Sequence, residues 1–474
     1  MLSCIANSEA KMSKTDKKLS AVSLILIAVL IFTAVFNIAY VGNVASAATQ
    51  NVAPSATENR FEKIDMDLSS FKQQYFNQEL VQKNIASYDG DRWVIVALEG
   101  ATLYDAFRAS ARYSDFAAYS ASEEGQRVQK SLKIAQSEFL SKLDRHGINY
   151  EFKYSYTAIN NAVAVKVNAE AYNAIRKMNS VDDVYYVEYY DVPKTYEVAE
   201  NNANVYSTGI YNSDGLGYQG EGMVVAVLDT GLDRTHEAFQ TPPTSPAWDK
   251  AYIENVVAGG QLKAEGTADD FYYSSKVPFA YDYADDDANV FPSYSSHGTH
   301  VAGIVAGKSD YVVNKETGET FKGVAPEAQL VICKVFTDNF ESEYLGGANT
   351  MSILAALNDC TKLGVDVINM SLGTSAGFAD EKSEKYINDI YEAIEAEGIS
   401  LVVAASNDYS SGFGGGYGTN LASNPDSGTV GSPSTYHSAL SVASINGKKS
   451  SEHYFRAVCR NQLSAFDAHS FRHR

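Results

Sequence analysis

Hydrophobic positions change their spacing along this chain of 474 residues, and each change marks a border. "RWVIVAL" (92–98) is an apolar run of strand length. From Ser122 to Leu143, Val128, Leu132, Ala135, Phe139 and Leu143 recur at three- and four-residue spacing, one face of a helix. "NYEFKYSYTAI" and "NAVAVKV" predict two strands joined by a tight turn; "AEAYNAIRKM" predicts a helix and "VDDVYYVEYY" a strand. The order β-α-β-β-α-β is a split βαβ unit, a small sheet with two helices on one face. It carries no candidate catalytic cluster. After Val192 near-continuous apolar runs alternate with helical segments: "MVVAVL", a helix near Thr299, "AQLVICKVF", "MSILAALNDCTKLG", "VDVINMSL", a helix ending near "IYEAIEAEG", "SLVVAAS" and "ALSVASI". Such strands form a parallel sheet covered by helices on both faces, and ligands gather at the carboxyl ends of its strands.

The N-terminus follows a third pattern. Lys11, Lys14, Lys17 and Lys18 precede the apolar run of residues 19–41, which leads into "VASAATQ". A charged, apolar, small-residue order predicts an export signal over residues 1–47, with Ala45 and Ala47 set for cleavage. Initiation at Met12 would shorten it, and a retained membrane anchor is the alternative, because an apolar run of about 20 residues spans a bilayer. Residues 48–91 are polar and weakly periodic, a linker.

Composition narrows the classes. With 45% hydrophobic residues and a formal net charge of −20, the chain predicts a soluble globular protein able to bury a large core. The acidic balance excludes nucleic acid or an anionic membrane as the main partner, since phosphate binding needs clustered Lys and Arg. Cys4, Cys333, Cys360 and Cys459 have no close spacing, which supports neither a disulfide framework nor a metal site. Cys333 and Cys360 are expected as small buried hydrophobes.

Candidate chemistry begins at Asp229, a carboxylate where a buried strand opens into a Gly-containing turn; alone it reads as a turn cap. His297, between Ser296 and Gly298, changes that reading. A buried carboxylate bonded to one imidazole nitrogen fixes the tautomer and leaves the other nitrogen to accept a proton. Together "VVAVLDTGLDRTHEAF", "SSHGTHVAGIVAG", "FKGVAPEAQLVICKVF" and "INMSLGT" resemble the subtilisin-like serine protease family, in Asp…His order. "FAYDYADDDAN" is similar to the cell-envelope and streptococcal peptidases of that family.

The resemblance covers residues 220–445 and implies Asp229 as the His-orienting carboxylate and His297 as general base. "VVAASNDY" matches the family's oxyanion segment, which makes Asn407 the amide donor; Ser406 stands where the family has Gly. Ser371, Leu372 and Gly373 would pair with an extended peptide, so protein or peptide substrates follow. The implied fold is α/β, a subtilisin-like parallel sheet with helices on both faces. A small α+β ferredoxin-like unit, residues 92–193, precedes it and resembles the family's inhibitor-like propeptide, an intramolecular partner cut off within 194–209. The family's nucleophile sits in a Gly-Thr-Ser-Met-Ala motif after the oxyanion Asn, and nothing after Asn407 matches it. Ser375 in "GTSAG" precedes Asn407 and continues a cleft strand. The catalytic region, 194–450, is therefore read as partial, and the basic, aperiodic stretch 451–474 as an aberrant tail. Loss of the serine costs subtilisin about 2 × 10⁶ in kcat, so the chain is expected to be inactive as it stands.

Weaker constellations change little. Asp282, Asp285, Asp286 and Asp287 could offer oxygens to a structural calcium, but the spacing of a calcium loop is absent and a solvated acidic loop is expected, with no cofactor. His297 and His300 lack the glutamate of a zinc-protease helix. "DTG" at 229–231 and "DSG" at 426–428 would suit an aspartic protease only on equivalent buried strand ends, and the second lies in a polar loop. The second functional reading is a non-enzymatic binder, inhibitor or folding chaperone of a related protease acting through 92–193. The location expected is secreted or cell envelope, with membrane contact only through the N-terminus.

Overall fold

The computed structural model describes residues 90–190, 192, 218–260, 262–315, 318–339, 347–373, 381–405 and 430–443. All belong to one compact unit, Glu79–Arg474. Outside them lie the stretches read as signal and linker up to residue 89, the connector from 193 to 217, Ser375, Ser406, Asn407, Asp426 and the stretch 451–474 read as a tail.

The first sheet contains β1 (Arg92–Leu98), β2 (Glu151–Tyr156), β3 (Ala162–Val167) and β4 (Val181–Tyr186) in the order β2-β3-β1-β4. Its pairings are all antiparallel, the ferredoxin-like arrangement expected. Two short helices, α1 (Leu103–Ala109) and α2 (Phe116–Ala121), were not legible in the apolar spacing. The long α3 (Glu123–Arg145) and α4 (Ala169–Ile175) complete the unit. Strand side chains alternate between faces. Val94, Val96, Val163 and Val165 pack under α3 and α4 with Phe139, Leu143 and Ile175. Trp93, Ile95, Tyr154 and Tyr156 face the other way and join the large core. On α3 the apolar face is corrected at one point: Ala135 is exposed and Gln136 is buried. Gln136 Nε2 meets its burial by donating to Tyr156 O at 2.7 Å and Asn161 Oδ1 at 3.0 Å.

A two-residue strand, β5 (Tyr189–Tyr190), ends this unit. The second sheet is built from β6 (Val224–Asp229), β7 (Phe279–Asp282), β10 (Gln329–Lys334), β12 (Val367–Met370), β13 (Ser400–Ala404) and β14 (Ala439–Val442). Its order is β14-β13-β12-β6-β10-β7, and every neighbour pair is parallel. A hairpin of β8 (Lys308–Asn314) and β9 (Glu319–Lys322) stands apart, and β11 (Ala348–Asn349) pairs with β5. Two helices, α5 (Lys250–Ala258) and α6 (Ala268–Phe271), lie before β7.

Helices cover both faces of this sheet. On one, α7 (His297–Ala306) sets Ala302 and Ala306 against Val225, Val227, Leu330 and Ile332. On the other, α8 (Thr350–Leu363) and α9 (Glu381–Ala396) pack Met351, Leu354, Ile390 and Ile394 against Ala226, Leu228 and Val331. Asn349 caps α8 by accepting from Ser352 N, and Gly364, at φ +73, ends it in the left-handed region that favours glycine. The six-stranded sheet is thus buried on both sides, as the continuous apolar runs predict. β14 is the exception: its residues are mostly exposed.

Candidate active site

Asp229 closes the central strand β6, flanked by β10 and β12, so its carboxylate emerges at the carboxyl edge of the sheet. It is 1% exposed. His297 opens α7, and its Nδ1 lies 2.8 Å from Asp229 Oδ1. The turn between them is held by Thr230. Its Oγ1 donates to Ser295 O at 2.7 Å and accepts from Gly298 N at 2.9 Å, and its N–H donates to Asp229 Oδ1 at 2.7 Å.

Two glycines allow this closeness. A Cβ on Gly298 would sit 2.4 Å from Gly231 O, so only glycine lets the helix start approach the turn. Gly231 itself has φ +110, and a Cβ there would meet Val290 O at 2.3 Å. With Nδ1 bound to the carboxylate, Nε2 is the nitrogen able to accept a proton, and Asp229 stabilises the imidazolium that results.

The acidic segment differs from expectation at its first residue. Asp282 is buried, because Lys334 Nζ lies 2.5 Å from its Oδ2 and 3.2 Å from Asp285 Oδ2. Burial raises Asp282 to about 7, against the opposing pull of Lys334. Asp285, Asp286 and Asp287 lie at the surface, but two are tied down: Asp285 Oδ2 accepts from Asp338 N at 3.0 Å, and Asp286 Oδ1 accepts from Lys263 Nζ at 2.7 Å and Tyr281 Oη at 2.8 Å. Among the described residues no group of three or more His, Cys, Asp or Glu side chains is set to hold a metal ion. Lys334 also stands opposite Asp229 in the sheet register, and no sequence pattern singled it out.

Ser371, Leu372 and Gly373 leave the end of β12, the neighbour of β6. Asn369 Nδ2 donates to Ser371 Oγ at 3.0 Å, Leu372 is buried, and Gly373 lies so near Ser432 O that a Cβ would stand 2.8 Å from it. β5 runs antiparallel along β11, with Thr350 N donating to Glu188 O at 3.0 Å. Asn407 lies outside the described residues, as do Ser375 and the second Asp-Ser-Gly triplet.

A family model for the subtilase peptidases matches residues 220–467, just over half of the chain. The chain belongs to the subtilase family. The match runs beyond residue 445, where the motif resemblance ends, and into the basic stretch read as an aberrant tail. Among curated relatives, the C5a peptidase of Streptococcus pyogenes is 34% identical over 234 residues, 49% of this chain and 18% of that protein. The PIII-type proteinase of Lactococcus lactis subsp. cremoris is 32% identical over 230 residues, 48% of this chain and 11% of that one. The chain thus spans less than a fifth of the length of these relatives. Among solved structures, an epidermin leader peptide processing serine protease from Staphylococcus aureus aligns with 76% of this chain and 71% of its own, at TM-score 0.43 and 13% identity. Fervidolysin from Fervidobacterium pennivorans aligns with 67% of this chain and 40% of its own, at TM-score 0.37 and 20% identity.

Proposed function

We propose that the chain is part of the precursor of an exported or cell-envelope serine endopeptidase that cleaves peptide bonds of proteins. The observation that carries this reading is the 2.8 Å contact between His297 Nδ1 and the buried Asp229 at the end of the central strand. In this reading Nε2 of His297 removes the proton of a serine hydroxyl as it attacks the scissile carbonyl, then returns it to the leaving amine. Asn407 donates its amide to the oxygen on which charge develops. Ser371, Leu372 and Gly373 hold the substrate in extended form.

Residues 92–193 act as an inhibitor-like propeptide. Supporting this, Tyr156 Oη donates to Met351 O at 3.0 Å, Asn358 Oδ1 accepts from Ala158 N at 3.0 Å, and Asn160 Nδ2 donates to Tyr386 Oη at 2.9 Å. These bonds seat the small sheet on α8 and α9. Antiparallel pairing of β5 with β11 is the geometry a bound peptide strand would use, so Tyr189–Tyr190 stands as an internal substrate mimic. Removal of this segment falls within residues 194–209, and the mature enzyme acts on protein substrates with no cofactor.

We assign the nucleophile to no serine of residues 1–474. The location follows the N-terminal signal; among the described residues no helix is long and apolar enough to cross a membrane, and the run 19–41 lies outside them. The test is hydrolysis of casein by the 474-residue chain. No turnover, and no labelling by a serine-directed phosphonate, is expected; phosphonate-sensitive hydrolysis would overturn the assignment.

A second reading has the chain act as a binder, its small unit inhibiting a related protease in trans. The contacts to α8 and α9 occupy the small unit's face in cis and weigh against it. Titration of the chain against an active relative separates the two, since an occupied cis interface predicts no inhibition.

A further inference from the structure

The core contains a pair of thiols that the proposed chemistry leaves unused. Cys333 lies on β10 and Cys360 on α8, 27 residues apart in sequence, and their Sγ atoms are 3.6 Å apart. Both are fully buried, and they are the only cysteines among the described residues. Sequence spacing gave no sign of this, because the contact forms between a strand and the helix that crosses over it.

We propose that Cys333 and Cys360 are the site of an intramolecular disulfide, formed while the chain folds under oxidising conditions. A disulfide holds its sulfurs about 2.05 Å apart, so the two must approach by about 1.5 Å. Each thiol loses one proton and one electron. Both electrons pass to a small-molecule disulfide such as oxidised glutathione, which leaves as two thiols, one of them after a mixed disulfide with the first cysteine.

The timing follows from the surroundings. Burial, the contact with Cys360 and the nearby Asp359 carboxylate push the Cys333 thiol well above its ordinary range. The attacking species is the thiolate, so the folded, reduced protein exchanges slowly and the bond is acquired before the core closes. Its position has a consequence for the small unit. β10 pairs with the strand that bears Asp229, while α8 carries Asn358 and Met351, which bind residues 156–160. The bond therefore ties the helix that seats the small unit to the sheet that holds the site, and keeps α8 in place once that unit departs.

The experiment is to refold the full chain from reduced, denatured material in a reduced and oxidised glutathione mixture. Free thiols are then alkylated under denaturing conditions, and the peptides are mapped by mass spectrometry. A parallel oxidation in urea supplies the control, where four cysteines have three pairings to choose from. The Cys333–Cys360 linked peptide should approach full yield, against about one third in the urea control where three pairings compete, because the folding chain brings these two partners together before its core closes. Protein refolded without oxidant and then given the same buffer should keep both thiols alkylatable. Equal yields in buffer and urea, two free thiols after oxidative refolding, or pairing of either cysteine with Cys4 or Cys459 would overturn the proposal. None of these readouts depends on protease activity.

Discussion

Replacing Asn358 with alanine is the sharpest probe of how the small unit is held. Its side chain lies inside α8 and makes two bonds across the interface: Oδ1 accepts from Ala158 N at 3.0 Å, and Nδ2 donates to Asn160 Oδ1 at 2.8 Å. It also donates to Leu354 O within its own helix. Ala158 is completely buried. Truncation thus orphans a buried backbone N–H, which costs about 1–3 kcal/mol, and removes a side-chain amide bond worth about 1 kcal/mol. A total loss of about 2–4 kcal/mol is expected from urea unfolding of the full chain. Hydrogen exchange locates the effect: protection should fall at residues 156–161 and in the strands of the small sheet, while β6 and β10 keep theirs. A loss below about 0.5 kcal/mol, the range of an ordinary surface substitution, would refute the reasoning. So would uniform loss of protection across both sheets, since the bond would then not be specific to the interface.

Other substitutions test the site itself. Gly298→Ala drives a Cβ to 2.4 Å from Gly231 O, a backbone atom that cannot swing aside, and should cost about 1–3 kcal/mol in the same unfolding assay. Lys334→Met removes the ammonium that opposes burial at Asp282, so the carboxyl takes up a proton near neutral pH and the loss should be about 1–3 kcal/mol, that of a charge-assisted hydrogen bond, with part regained by adding Asp282→Asn. For Glu327, burial raises the carboxyl, but Lys308 and the Thr244 N–H outweigh it and hold the group at about 2, below its ordinary 4.5. A depressed folded value means its stabilisation is complete above the unfolded pKa and is lost as pH falls from about 4.5 through 2. Glu327→Gln should therefore flatten the acid limb of the stability curve in that window, and an unchanged limb would contradict the assignment.

Much of this architecture was legible from spacing. The runs at 92–98, 224–229, 329–334 and 367–370 are strands because continuous apolar residues have both faces to bury, and the helix facing Phe139 and Leu143 followed its three- and four-residue period. Periodicity failed where polar groups do the packing. Gln136 replaces Ala135 on the buried face because its amide finds two acceptors, a fact invisible without the neighbouring strand. Asp282 hides inside an acidic run because Lys334, 52 residues away, supplies its counter-charge. Strand β7 was missed because its four residues lead directly into that run. Asp229 alone reads as a turn cap, and it was His297 together with the four family-like motifs that paired the two in the sequence. Their 2.8 Å contact could not be read across a separation of 68 residues.

The most direct test of the central claim is to sequence the coding DNA from the codon of Ala439 through several hundred bases past codon 474 and translate all three frames. The account predicts that one frame supplies an apolar strand followed by a Gly-Thr-Ser-Met-Ala helix start, the serine that His297 serves. A downstream sequence without that motif in any frame would contradict it and leave Asp229 and His297 without a nucleophile.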